Sequence, residues 1–223
     1  MNGVDFSAPL KYLTDLMAGT YTTVWLSVLI YVLTLCLSTA IAVFRFTPAS
    51  KSLSFILAAY VEIFRNVPAL VVLFLFYFGL PQIGIKLGSY GAGITVTVII
   101  LSAYTAEVIR GGLQSVAKGQ WEASASLGLS KSQTYLRVGL PQAFKNSWPA
   151  LTNMLMITIF STSLLSVIDV RELTSASGLI SSRTFRTLEV YVYALVIYYA
   201  VSSLLQFAFG ALNRIIFPRR VNA

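Results

Sequence analysis

The stretch EASASLGLSKSQTYLRVGLPQAF, residues 122–144, is the longest run of this chain that lacks the character of a membrane segment. It holds no His, no Cys and a single carboxylate, and apolar runs long enough to cross a bilayer lie on both sides of it. Trp121 to Leu127 predicts a short helix rich in Ala and Ser, with Gly128 placed to end it in the left-handed region. Ser130 and Gln133 have the spacing of a capping box, which predicts a second helix ending before Leu140-Pro141. The pattern is a helix-turn-helix of small residues. Such side chains let another surface approach the backbone, and Glu122 adds one charge for a partner. The same pattern suits a loop that only covers helix ends, and spacing alone leaves both readings open.

Working outward, composition explains the flanks. Hydrophobic residues make up 57% of the 223 and charged residues 11%, against about 25% charged in a soluble domain. With a mean hydropathy of +0.77, the chain is an integral membrane protein, in which lipid takes the place of water as solvent. The one cysteine, Cys36, excludes an internal disulfide. The absence of His removes the usual neutral-pH proton shuttle and the commonest metal ligand, so no metal site is expected.

Five apolar segments follow, at about 21–44, 53–80, 87–109, 149–168 and 190–212. The first would be roughly 36 Å long as a helix, enough for a hydrocarbon core of about 30 Å with some tilt. The second contains Pro68, which removes a backbone donor and predicts a kink or break near Asn66–Pro68. Residues 1–18 lack the basic start of a signal peptide and are expected to stay as an N-terminal segment. The membrane domain is expected over 19–215, with a loop at 110–148 and a tail at 216–223.

Lys and Arg concentrate in alternate connections. Arg45 and Lys51 follow the first segment, Arg110, Lys118, Lys131, Arg137 and Lys145 follow the third, and Arg214, Arg219 and Arg220 follow the fifth. The positive-inside rule puts these on the cytoplasmic side, giving an outside N-terminus and an inside C-terminus. Five spans fit this map and six do not. The formal charge of +8 is thereby a matter of topology, and no nucleic-acid partner is expected.

The fragment GQWEASASLGLSKSQTYLRVGLPQAF resembles the Glu-Ala-Ala signature of bacterial ABC importer permeases: Glu-Ala-Ala, three residues, Gly, then Ile/Val-x-Leu-Pro. Glu122, Ala123, Gly128, Val138, Leu140 and Pro141 match, and Ser124 stands where the second Ala is usual. YVEIFRNVPALVVLFLFYFGLP (60–81) and STSLLSVIDVRELT (161–174) resemble the polar amino-acid branch of that family, the histidine, glutamine and glutamate type. The likeness runs from about residue 18 to 215. Many relatives carry Lys two residues before the Thr-Ser-Leu of the fourth segment, where this chain has Phe160.

The resemblance implies an all-α polytopic membrane protein with five transmembrane helices, the type I ABC importer permease fold, in the bacterial inner membrane. It implies that the 122–141 loop is a coupling helix inserted into an ATPase groove, with Glu122, Ala123, Ser124, Gly128, Leu140 and Pro141 as its residues. Expected partners are two ABC ATPase subunits, a periplasmic or lipid-anchored amino-acid-binding protein, membrane lipid and a second permease subunit, a paralogue in preference to a second copy. No Gly-x-x-x-x-Gly-Lys-Ser/Thr loop is present. This chain is therefore expected to bind no cofactor, with ATP and Mg used by the partner ATPase.

Residues for the translocation pathway are Glu62, Arg65, Ser161, Thr162, Ser163 and Asp169. Glu62 with Arg65, and Glu107 with Arg110, stand at i, i+3 and can meet on one helix face. For each pair the simpler reading is an anchor at a helix end, whereas the hydroxyl run equally bonds back to its own helix. A stand-alone secondary transporter or channel is the alternative function, disfavoured by the scarcity of deep carboxylates. A membrane enzyme lacks any nucleophile and base that can be placed together.

Overall fold

The computed structural model describes residues 5–7, 9–46 and 51–218; Arg219 and Arg220, in the basic tail read from the sequence, lie outside them. The α-helices are α1 (Leu13–Phe46), α2 (Lys51–Asn66), α3 (Ala69–Phe74), α4 (Gly88–Gln114), α5 (Lys118–Ser126), α6 (Lys131–Thr134), α7 (Leu140–Ser161), α8 (Leu173–Thr184) and α9 (Thr187–Ile216). By length and composition, four helices among the described residues can cross a membrane, and five if the bent pair formed by α2 and the helix Ala69–Ile83 counts as one span.

Of two expectations from the sequence, one is met in its stronger form and the other needs correction. The second apolar segment is not one helix. Pro68 takes φ −59° and ψ 130° as the N-cap of α3, and α3 passes into a π-turn at Leu75–Gly79 and a 3₁₀ turn at Leu80–Ile83. Of the kink or break expected near Pro68, the chain has the break, because proline cannot donate to the preceding turn. The second helix of the 122–144 stretch does not stop at Leu140-Pro141. A π-turn at Tyr135–Gly139 joins α6 to α7, so the helical stretch Lys131–Ile168 is continuous. Pro141 stands just after that turn, where widening removes the clash of its ring with the carbonyl four residues back. The fourth span therefore starts well before Pro149, which lies inside α7.

Contacts sort the chain into two compact units. The first comprises Met1–Tyr31, Pro68–Thr97 and Leu155–Ala208. One buried cluster in it is Leu16, Leu173, Ile180 and Val190, with Tyr12, Tyr193, Ile197 and Tyr198 packed around. α8, which the sequence pattern did not announce, begins on α1: Leu173 N donates to Thr23 Oγ1 at 3.1 Å. A Cβ on Gly19 would sit 3.0 Å from both Ala176 Cβ and Leu173 Cα, so any side chain there would push the two helices apart by a few tenths of an ångström.

The second unit comprises Val32–Val67, Val98–Met154 and Phe209–Ala223. Ala42, Ile109, Leu113, Ala143 and Leu151 are buried together in it, and Ile41, Val61, Ala103 and Ala106 form a further cluster. Glu107 holds Arg110 at 2.6 Å and also pairs with Arg45, tying the end of α1 to α4.

Candidate functional site

The second unit carries the hairpin made by α5, α6 and the turn between them. α5 ends in a Schellman arrangement: Gly128 N donates to Ala125 O at 3.0 Å and Leu129 N to Ser124 O at 3.2 Å. Gly128 takes φ +71° with nothing within 4 Å of the position a Cβ would occupy, so the constraint there is backbone conformation alone. Ser130 and Gln133 complete the capping box, with Gln133 N to Ser130 Oγ at 3.3 Å and Ser130 N to Gln133 Oε1 at 2.9 Å. A cap of this kind stabilises a helix start by about 1 kcal/mol.

What holds the hairpin down is aromatic. The Trp121 ring centroid lies 5.7 Å from that of Phe46 and 5.4 Å from that of Tyr135. Gly139 leaves the room for it, since a Cβ there would fall 2.5 Å from Trp121 Cη2. Gln142 Nε2 donates to Gln120 Oε1 at 3.2 Å. Trp121, Tyr135 and Gly139 were missed as site residues in the sequence, because an aromatic beside a helix start signals packing of any kind. The opposite face is open. Glu122 is 65% exposed, with Lys118 Nζ at 3.4 Å as a solvated neighbour, Ala123 is exposed, and Leu127 is 79% exposed.

The motif residues thus divide by environment. Glu122, Ala123 and Pro141 face outward, whereas Ser124 is buried and donates to Gln120 O at 2.7 Å. Leu140 packs on the apolar cluster of α4 and α7. Leu127 is an outward residue that the motif reading omitted; its sequence signal is a large apolar side chain directly before the turn glycine.

The pathway candidates separate too. Glu62 and Arg65, in the second unit, do not pair as the i, i+3 spacing suggested. Glu62 accepts from Asn66 Nδ2 at 3.1 Å, and the Arg65 guanidinium lies 5.5 Å from the Tyr104 ring centroid. A shorter amide at i+4 and an aromatic face take the two partners. In the first unit, Ser161, Thr162 and Ser163 each bond back to a carbonyl, those of Ile157, Ile159 and Phe160, at 2.8, 2.8 and 2.7 Å. Asp169 is exposed and ends the 3₁₀ stretch Thr162–Ile168 at φ 64°.

Close by in sequence, Glu172 is fully buried and was not singled out from the sequence. Its carboxylate caps α8, accepting from Thr174 N at 2.9 Å and Ser175 N at 2.7 Å, and takes the Tyr198 hydroxyl at 2.7 Å. Burial pushes its pKa above the ordinary carboxylate value, and the three donors pull the other way.

Comparison with known proteins places this geometry. Residues 34–220 match the family described as binding-protein-dependent transport system inner membrane component. A probable glutamine ABC transporter permease protein GlnM of Bacillus subtilis (strain 168) is 40% identical over 82% of this chain and 84% of its own length. The arginine ABC transporter permease protein ArtQ of Haemophilus influenzae (strain ATCC 51907 / DSM 11121 / KW20 / Rd) is 31% identical over 74% of this chain and 77% of its own. Among solved structures, that of an amino acid ABC transporter with histidines superposes with a TM-score of 0.85 at 32% identity, covering 95% of this chain and 99% of that one. The MetNI methionine ABC transporter in an inward facing conformation shares the fold, with a TM-score of 0.77 at 20% identity over 91% of this chain and 96% of that one. With its capped, aromatic-anchored hairpin and its membrane-length helices, the chain belongs to the family of binding-protein-dependent transport system inner membrane components.

Proposed function

We propose that this chain is the permease subunit of an ATP-driven importer of a polar amino acid, coupled through the 118–141 hairpin to separate ATPase subunits. The observation that carries the coupling role is the division of the hairpin into a fixed face and an open one. Trp121 is wedged against Gly139, Phe46 and Tyr135, while Glu122, Ala123 and Leu127 project outward. A rigid knob with one exposed carboxylate, Glu122, and an exposed leucine, Leu127, beside its turn suits insertion into a groove. A loop that only covered helix ends would have no use for an exposed leucine at its tip.

The amino-acid class is supported by relatives named for glutamine and arginine. The working assembly is two permease subunits, with a paralogue favoured over a second copy, two ATPase subunits that use ATP and Mg, and an amino-acid-binding protein outside the bacterial inner membrane. One permease unit has too little surface to enclose a solute route alone. In this scheme ATP-driven closure of the ATPases pushes on the hairpin, which moves the helices so that a shared site opens to alternate sides. The basic clusters favour an outside N-terminus and an inside hairpin.

The test is the reconstituted complex with its binding protein. ATP hydrolysis should rise with a polar amino acid such as L-glutamine, and reagents outside intact cells should label Cys at Lys11, Lys86 or Arg183 but not at Lys131. Stimulation by a sugar or a metal alone would overturn the substrate class. Labelling at Lys131 from outside would overturn the coupling role.

A further inference from the structure

In the first unit, α1 and α8 pass so closely at Gly19 that they leave a groove beside the contact. Asp15, Ala18, Gly19, Arg171, Ala176 and Arg183 line a cavity of about 240 Å³ there. That is smaller than the roughly 300–1,000 Å³ of a site for a drug-sized molecule. Its floor is small and apolar, from Ala18, Gly19 and Ala176. Its charges are Asp15, Arg171 and Arg183, all exposed, and none of the three forms an ion pair among the described residues.

The placement of those charges has a direction. α1 meets Leu173 at Thr23 and Ala176 at Gly19, so it runs antiparallel to α8. Asp15, one turn before Gly19, falls toward the end of α8 that bears Arg183, and Arg171 stands at the other end. The frame is stiff. Leu16, Leu173 and Ile180 pack in the buried cluster behind it, and Glu172 caps α8 from within. A fixed groove with a carboxylate and two guanidiniums, unsatisfied by one another, complements a ligand that carries both an ammonium and an acid.

We infer that this groove is a binding site for a small zwitterionic group, its ammonium at Asp15 and its carboxylate or phosphate held by an arginine. Two sources have this chemistry: a free amino acid, and the head group of phosphatidylethanolamine. The inference is independent of the import reading, because the measurement below reports the groove alone.

The experiment uses the full chain in lipid nanodiscs, with Cys36→Ser and Ala18→Cys so that one thiol lies in the groove, and follows its modification by a small methanethiosulfonate reagent. In phosphatidylglycerol nanodiscs, L-glutamine or glycerophosphoethanolamine at twice its Kd should slow modification about threefold, the factor 1 + [L]/Kd. Acetate and ethylamine, each with one of the two charges, should give no protection at matched concentration. Asp15→Asn and Arg183→Gln, both at exposed positions that leave the packing untouched, should each abolish it. If phosphatidylethanolamine nanodiscs are already slow and L-glutamine adds nothing, the lipid head group is the occupant; protection by L-glutamine in both lipids makes it the amino acid. Unchanged rates with every zwitterion in both lipids would overturn the proposal. So would protection by acetate that survives Asp15→Asn, which would mark a plain anion site.

Discussion

The hairpin at 118–141 and the segment at 169–187 are both short helices entered or left through left-handed residues, yet they meet that geometry in opposite ways. At Gly128 the positive φ falls on a glycine with open space around it. At Asp169 and Phe185, with φ of 64° and 55°, it falls on residues with side chains, a conformation that costs of order 1 kcal/mol each. The second segment offsets that cost from inside, through a buried carboxylate with three donors and a hydrogen bond from Leu173 to Thr23. The first has no such internal network on its outward face. On the proposed coupling role, the unstrained turn and open face of the first leave it free to meet another protein, whereas the second is built to hold its own position.

That contrast can be broken most forcefully at Glu172. Glu172→Ala leaves the backbone donors of Thr174 and Ser175 without their acceptor, and should lower stability by about 2–4 kcal/mol, read as the unfolding free energy of the purified chain. Glu172→Gln keeps one acceptor and should cost markedly less. The pair also gives a pH test. With a folded pKa above the ordinary 4.5, the protonated form is the one that folding favours, so this contribution is fully present below 4.5 and is lost as pH rises through the folded value. The advantage of wild type over Glu172→Gln should therefore shrink as the pH is raised from below 4.5; growth of that advantage with pH would reverse the assignment.

On the hairpin side, Gly139→Leu drives a side chain into the Trp121 ring, an overpacking that costs about 1–3 kcal/mol. It should release the hairpin from its anchor, and ATPase co-purification should fall while membrane insertion persists. Gly128→Val tests conformation without crowding. Its cost should be about 1–2 kcal/mol, Gly128→Asn should be milder, and equal effects of the two would remove the left-handed argument. The smallest effect on the fold is expected from Glu122→Lys, less than about 0.5 kcal/mol by thermal unfolding. Reversal of a charge in a docked contact costs about 2–5 kcal/mol of association, so pull-down of the ATPase should still fail. Wild-type transport by Glu122→Lys would show that the residue makes no essential contact.

The sequence made the helical architecture legible because lipid imposes it: long apolar runs have few alternatives to helix. The hairpin turn was equally plain, since Gly128, Ser130 and Gln133 act within five residues of one another. What escaped was anything set by distant neighbours. The continuity through Leu140-Pro141 depends on a π-turn, a one-residue widening that no periodicity records. α8 has little apolar stripe of its own and is held by Thr23, Tyr198 and a buried Glu172, which lie far apart in the chain. Glu62 and Arg65 had the spacing of a pair, but Asn66 and Tyr104 were nearer.

Trp121 gives the hairpin an optical property. Its indole sits between two aromatic rings and a glycine, at the root of a face that is otherwise wet. Only two other tryptophans, Trp25 and Trp148, share the chain, so replacing both with Phe leaves a single emitter. Its spectrum would shift to the blue as water leaves the tip and to the red if the indole is levered out of its seat. On the proposed coupling role, one residue would thereby report, in real time and without a label, whether the ATPase has docked and whether it is pulling.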